Sequence, residues 1–326
     1  LAAALRGRAE LLEAHLARYA ATKGHPFAAL NTALLEDGAL VLIPRGVVLE
    51  EPIHLVFVTS AEGEPRVSHP RVLVLAGESS RASIVESYVG FGAGAYFTNA
   101  VTEIEAADNA IVEHCKLLQE GKEAFHIATM QAHLRRDSNF TSHNFSLGGV
   151  LVRNHVNAVL DAEGVQGTLY GLYVIGGRQH VDNHTRIDHV KPHGNSREIY
   201  KGVLDGRSRG VFDGRVIVRP EAQKTNAKQT NRNLLLSKEA LVDTNPELEI
   251  YADDVKCTHG ATIGQLDEEQ IFYLRSRGIC DQAARNLLVY AFASEMVKQV
   301  HSEPVRGYLE RVLRARLPGA SGIEKN

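Results

Sequence analysis

The sequence predicts a mainly β chain, a parallel β-helix with helical segments at both ends. Three observations predict it. From Ala39 to about Ile263 the apolar runs are short, β-branched and bounded by Gly, Asn or Asp, with no clear helical pattern between them. Similar segments recur at intervals in the high twenties. Amphipathic stripes of helical period lie only at the two ends. A single coil cannot bury its own inner face. Stacked coils bury a continuous core and leave flat outer faces on which polar residues align. A large β-sandwich also repeats its turns; the spacing favours the β-helix and leaves the sandwich as the alternative.

The elements follow in order. Residues 1–38 read as an N-terminal helical segment. Leu5, Ala9, Leu12, Leu16 and Tyr19 recur at helical spacing up to the breakers Gly24 and Pro26, and a short second helix fits Pro26 to Leu35. Residues 39–265 read as the β-helix core, with strands such as Leu40–Ile43, Val72–Leu75 and Val216–Val218. Ala82–Ser87 resembles Asn109–His114 at a shift of 27 (113 − 86). Ser138–His143 follows after 29 (142 − 113), and Gly167–Leu172 after a further 29 (171 − 142). On that alignment Glu86 and Glu113 stack on neighbouring coils. Gly90, Gly92 and Gly94 approach a dinucleotide fingerprint, but Phe97 holds the last glycine position, so the stretch reads as a turn.

Residues 266–326 read as a C-terminal helical domain. Asp267–Gln270 forms a capping box before Ile271 and Leu274, and Gly278 ends the helix. Asp281 starts a second helix, with Ala284, Leu287, Leu288, Ala291 and Phe292 at helical intervals. Ser302-Glu303-Pro304 opens a third, with Val305, Tyr308, Leu309, Val312 and Leu313 on one face. Such stripes dock on the β core or on a partner. The end from Pro318 reads as frayed.

Composition narrows the function. The 326 residues carry a formal net charge of −3, which argues against a protein built to hold nucleic acid. No apolar run approaches the ~20 residues of a membrane helix. The sequence contains no G-x-x-x-x-G-K-[ST] segment, so it shows no phosphate loop of its own. Cys115, Cys257 and Cys280 are too few for a disulfide framework and suit a reducing, cytoplasmic setting. The chain begins at Leu1 without a Met, which reads as a trimmed fragment or missing first residues.

Three constellations offer chemistry. His180, Asp182 and His184 alternate, so on a strand they share one side; they suit a divalent metal or, more plainly, a polar outer strand. Cys257 and His259 also share a face. A thiolate with an imidazole suits iron–sulfur chemistry, but two ligands are too few for a closed site and a second chain must complete it. The plainer reading is a packed thiol beside a surface histidine. Paired Glu86 and Glu113 would serve a carbohydrate-cleaving β-helix, but the chain has no Trp and 6% aromatic residues, poor provision for stacking on sugars. Cys280 reads as core.

The run Tyr251-Ala252-Asp253-Asp254-Val255-Lys256-Cys257-Thr258-His259-Gly260-Ala261-Thr262-Ile263-Gly264 resembles the signature end of the β-helix in the SufB/SufD family, the iron–sulfur cluster assembly scaffold of the Suf system. Phe272–Gly278, Lys201-Gly202-Val203, Gly210–Gly214 and Gln229-Thr230-Asn231 match the same pattern, closest to its SufD branch. The resemblance covers the chain from about His25 to the final helices and shows no departure from the motif. It implies a right-handed parallel β-helix that pairs with SufB and docks the ATPase SufC through its C-terminal helices. It implies a non-catalytic subunit with no tightly bound cofactor, through whose complex a cluster passes. The family's interface histidine corresponds to His259, with Cys257 beside it. Most cluster ligands would lie on the SufB side. The face meant for SufB would also let the isolated chain pair with a copy of itself.

Overall fold

The computed structural model describes residues 1–20 and 22–316, so the expected fraying from Pro318 lies outside the described residues. Two parallel sheets run the length of a β-solenoid, one of nine strands and one of eight among the described residues. The first sheet stacks Gly38–Ile43, Arg71–Ala76, Tyr96–Ala106, Ala124–Leu134, Leu151–Leu160, His180–His189, Arg209–Val218 and Leu241–Ile250, with the short Arg66–Ser68 beside Tyr96–Ala106. The second stacks Ile53–Ser60, Arg81–Phe91, Ile111–Gln119, Asn139–Ser146, Gln166–Ile175, Asn195–Leu204, Asn226–Leu235 and Lys256–Gly264. From Arg71–Ala76 onward the chain alternates between the two sheets, so each of these coils supplies one strand to each.

The repeat is present, but its register differs from the one read off similar segments. Ile84 pairs with His114, His114 with Ser142 and Ser142 with Leu169, steps of 30, 28 and 27 (114 − 84, 142 − 114, 169 − 142). Glu86 therefore pairs with Lys116, and Glu113 with Ser83. The true marker is a corner. Ser79, Asn109, Asp137, Gly164, His193 and Lys224 each take a positive φ at the same turn of successive coils. Amides join this corner to the next coil, as from Ser79 N to Asp108 O and from Asn109 N to Arg136 O, at 2.9 and 2.8 Å. Gly90 still belongs to the strand Arg81–Phe91, and the turn is Gly92–Gly94, with Gly92 at φ +89.

Alternation along each strand sorts the residues. Inward residues such as Val72, Val74, Ile104, Ala132, Leu134, Val156, Ile187 and Val216 form the continuous core. Outward residues of the first sheet's early strands are covered by the N-terminal segment, where Leu1 and Leu12 pack on Leu73 and Leu75. The expected long first helix is two short ones, Ala2–Gly7 and Ala9–His15, broken at Arg8. The buried carboxylate of Glu103 explains its early end: it accepts the backbone N–H groups of Ala17, Tyr19 and Ala20, each at 2.9 Å, and pairs with the buried Arg71. Pro26–Ala33 is the expected second helix.

Helices Glu268–Ser276, Asp281–Val297 and Glu303–Arg316 follow the solenoid. Asp267 caps the first through the Glu269 amide, and Gly278 follows it at φ +87. The other two dock on the outer face of the second sheet, where Val289, Ala293, Val297, Leu309 and Leu313 meet Cys115, Leu117, Phe145, Leu172, Val203 and Leu234. Polar ties fix them there: Lys201 Nζ bonds the Phe292 carbonyl at 3.1 Å, and Tyr308 donates to Gln119 at 2.8 Å. Cys280, expected in the core, is exposed; it is the N-cap residue of Asp281–Val297 and precedes the packed stripe.

Candidate functional site at the terminal coil

The strand Lys256–Gly264 pairs with Asn226–Leu235 on one side and with no other strand among the described residues. Its β-branched and small residues suit an extended conformation, and Gly260 and Gly264 have open space where a side chain would stand. All of the strand but Cys257 is exposed. Leu241–Ile250 ends the other sheet in the same way. Around this end Leu241, Ile250, Tyr251 and Ile263 are large exposed apolar residues. An exposed edge with unpaired backbone groups and an apolar margin is a template for another chain.

Cys257 and His259 lie on this strand. Cys257 packs partly against the core and pairs with Ala227. Burial pushes its thiol up, opposed by a hydrogen bond from the Ala227 backbone, so it is a protonated thiol near neutral pH. His259, two residues on, occupies the same face of the strand but is exposed, because no further coil covers it. Its in-register neighbour is Gln229.

His180, Asp182 and His184 lie two strands earlier, on the outer face of the other sheet. The structure brings Asp182 and His184 together at 2.8 Å, while the other oxygen of Asp182 accepts from Arg153 at 2.6 Å. Burial would raise Asp182, but His184 and Arg153 hold it below its ordinary value. Among the described residues no group of three or more His, Cys, Asp or Glu is placed to hold a metal ion. Glu86 and Glu113 do not form a pair. Glu86 is interior, accepting from Tyr88 at 2.8 Å and facing His114 at 3.0 Å. Glu113 is on the outer side, accepting the His301 amide at 2.9 Å and facing His143 at 3.1 Å.

The sequence reading missed the polar interior. Glu198, His126 and Lys116 are buried inside the solenoid. Lys116 Nζ lies 2.7 Å from His126, which faces Glu120 at 3.0 Å, and burial lowers the lysine to about 8. Burial likewise raises Glu198 to about 7, against the hydrogen bond from Gln229. The only sequence signal for these groups was ionisable residues at inward-alternating positions, legible only once the register is known.

The chain is thus a parallel β-solenoid with helices at both ends and an exposed strand on its last coil. The family description "SUF system FeS cluster assembly, SufBD core domain" matches residues 57–292, and "SufBD protein N-terminal region" matches residues 1–55. The chain belongs to this SufBD family. It is 38% identical over 298 residues to the iron-sulfur cluster assembly SufBD family protein slr0076 of Synechocystis, covering 89% of this chain and 66% of that one. It is 36% identical to the iron-sulfur cluster assembly protein SufD of Escherichia coli, covering 92% and 72%. It is 35% identical to the chloroplastic protein ABCI7 of Arabidopsis thaliana, covering 87% and 61%. The chain thus spans about two thirds of the length of these relatives. No helix among the described residues is long and apolar enough to cross a membrane.

Proposed function

We propose that this chain is a non-catalytic scaffold subunit of a SufBCD-type complex. Its terminal coil pairs edge to edge with a SufB-type subunit and presents His259, with Cys257 behind it, to iron or a nascent cluster at the joint. The bare strand Lys256–Gly264, carrying an exposed imidazole on an otherwise packed solenoid, supports this reading most directly. Strand addition supplies backbone hydrogen bonds for affinity and flanking side chains for specificity. The C-terminal helices carry the second contact, with a SufC-type ATPase. Phe272 and Tyr273 on Glu268–Ser276 are 72% and 58% exposed, an apolar pair that the solenoid does not use.

One co-purification experiment under iron limitation tests both contacts. His259→Ala is expected to lower cluster output while all three subunits still purify together. Truncation before Asp267 is expected to lose the ATPase and keep the second solenoid subunit. Undiminished cluster output from His259→Ala removes the role of His259, and retention of the ATPase by the truncated chain moves its docking site elsewhere.

A further inference from the structure

The interior of the last coils aligns three polar side chains in one column. Glu198 pairs in register with Gln229, and Gln229 with His259. Glu198 and Gln229 are sealed at 0% and 1% exposure, whereas His259 is exposed at the mouth. Gln229 Nε2 donates to Glu198 Oε2 at 2.8 Å. The two ends of a carboxamide diverge, so its oxygen is turned away from the carboxylate. That buried oxygen has no hydrogen-bond partner, a costly arrangement. Gly214 across the interior leaves room for the amide: a Cβ there would stand 2.4 Å from Gln229 Nε2.

When ionised, Glu198 only accepts hydrogen bonds, and in that form it decides which end of the amide faces it. The acceptor end is left for the next coil, roughly 4.8 Å on. There stands His259, whose ring no group among the described residues holds by a hydrogen bond. We infer that Gln229, oriented by Glu198, is a positioning residue for His259: its carboxamide oxygen, unpartnered as the ring now stands, accepts an imidazole N–H when the exposed ring turns onto it, fixing the tautomer and turning the other nitrogen's lone pair toward the terminal joint. A histidine that meets a metal commonly has its second nitrogen held this way. The inference rests on the proposed role of His259, but its test does not.

The test uses the full chain with 15N-labelled histidine at pH 8, where Glu198 is mainly ionised. Long-range proton–nitrogen correlations report the tautomer ratio of His259, assigned by the signal lost in His259→Ala. The wild type is expected to hold one tautomer. Gln229→Leu is expected to move the ratio about fivefold toward free imidazole, the bias that one ordinary net hydrogen bond maintains. Glu198→Gln, whose amide no longer dictates the orientation of Gln229, is expected to give a smaller move in the same direction and serves if Gln229→Leu does not fold. An unchanged ratio in either folded variant overturns the inference. If the ratio moves but His259→Ala assembles clusters normally, the positioning stands and the proposed role of His259 falls. If the ratio stays fixed while His259→Ala loses output, the reverse holds.

Discussion

The chain carries two cysteine–histidine neighbourhoods on the same sheet, and they differ in almost every property. His114 and Cys115 lie in mid-stack. His114 is sealed between Glu86 at 3.0 Å and Ser142 at 3.1 Å, and Cys115 lies under the docked C-terminal helices. Burial, and then the charge of Glu113, push the Cys115 thiol far above its ordinary value. Cys257 and His259 sit on the terminal strand, where the imidazole is exposed. The residue types are the same, so position in the stack separates structural groups from available ones. An interior coil has neighbours on both sides and a terminal coil has one.

The widest contrast is expected in thiol reactivity. Under native conditions iodoacetamide is expected to modify the exposed Cys280 readily, Cys257 more slowly, and Cys115 only after unfolding. Peptide mass spectrometry should give a Cys280-to-Cys115 rate ratio on the order of 10³ or more. Comparable rates would break the comparison. The next contrast is in stability. His114→Ala strips a buried carboxylate of one partner and is expected to cost about 3 kcal/mol in urea unfolding, whereas His259→Ala is expected to stay within ~0.5 kcal/mol.

The smallest effect sharpens the comparison at the helices that cover Cys115. Burial alone would raise Glu113, but His143 and the His301 amide hold it down to about 2 from 4.5. Its folded pKa is thus below its unfolded one. The stabilisation is complete above about pH 4.5 and is lost as pH falls through about 2. Glu113→Gln is expected to lower stability by about 2 kcal/mol at pH 7, with the two unfolding curves converging toward pH 2.

Much of the fold was legible because it rests on periodicity. The helical stripes of Ala284–Phe292 and Val305–Leu313 and the strand-rich middle follow from which residues can share a face. The register was not legible. Ala82–Ser87 and Asn109–His114 look alike at a shift of 27, but an odd error of three residues moves Glu113 to the opposite side of its strand from Glu86. The stacked corner of Ser79, Asn109, Asp137, Gly164, His193 and Lys224 sets the step, and those residues share a backbone conformation rather than a side chain. At the site, Cys257 and His259 were visible as a short motif. Gln229 and Glu198 were not, because only the ladder places them in the same column.

The docked helices have a mechanical consequence. Their apolar face shares one buried cluster with residues from Val85 to Leu234, which lie on six consecutive strands of the second sheet. Lys201 and Glu113 bolt them at two separate rungs. A pull applied to these helices is therefore shared along a stiff beam, and it reaches the terminal rung as a rigid tilt of the whole stack rather than as local melting.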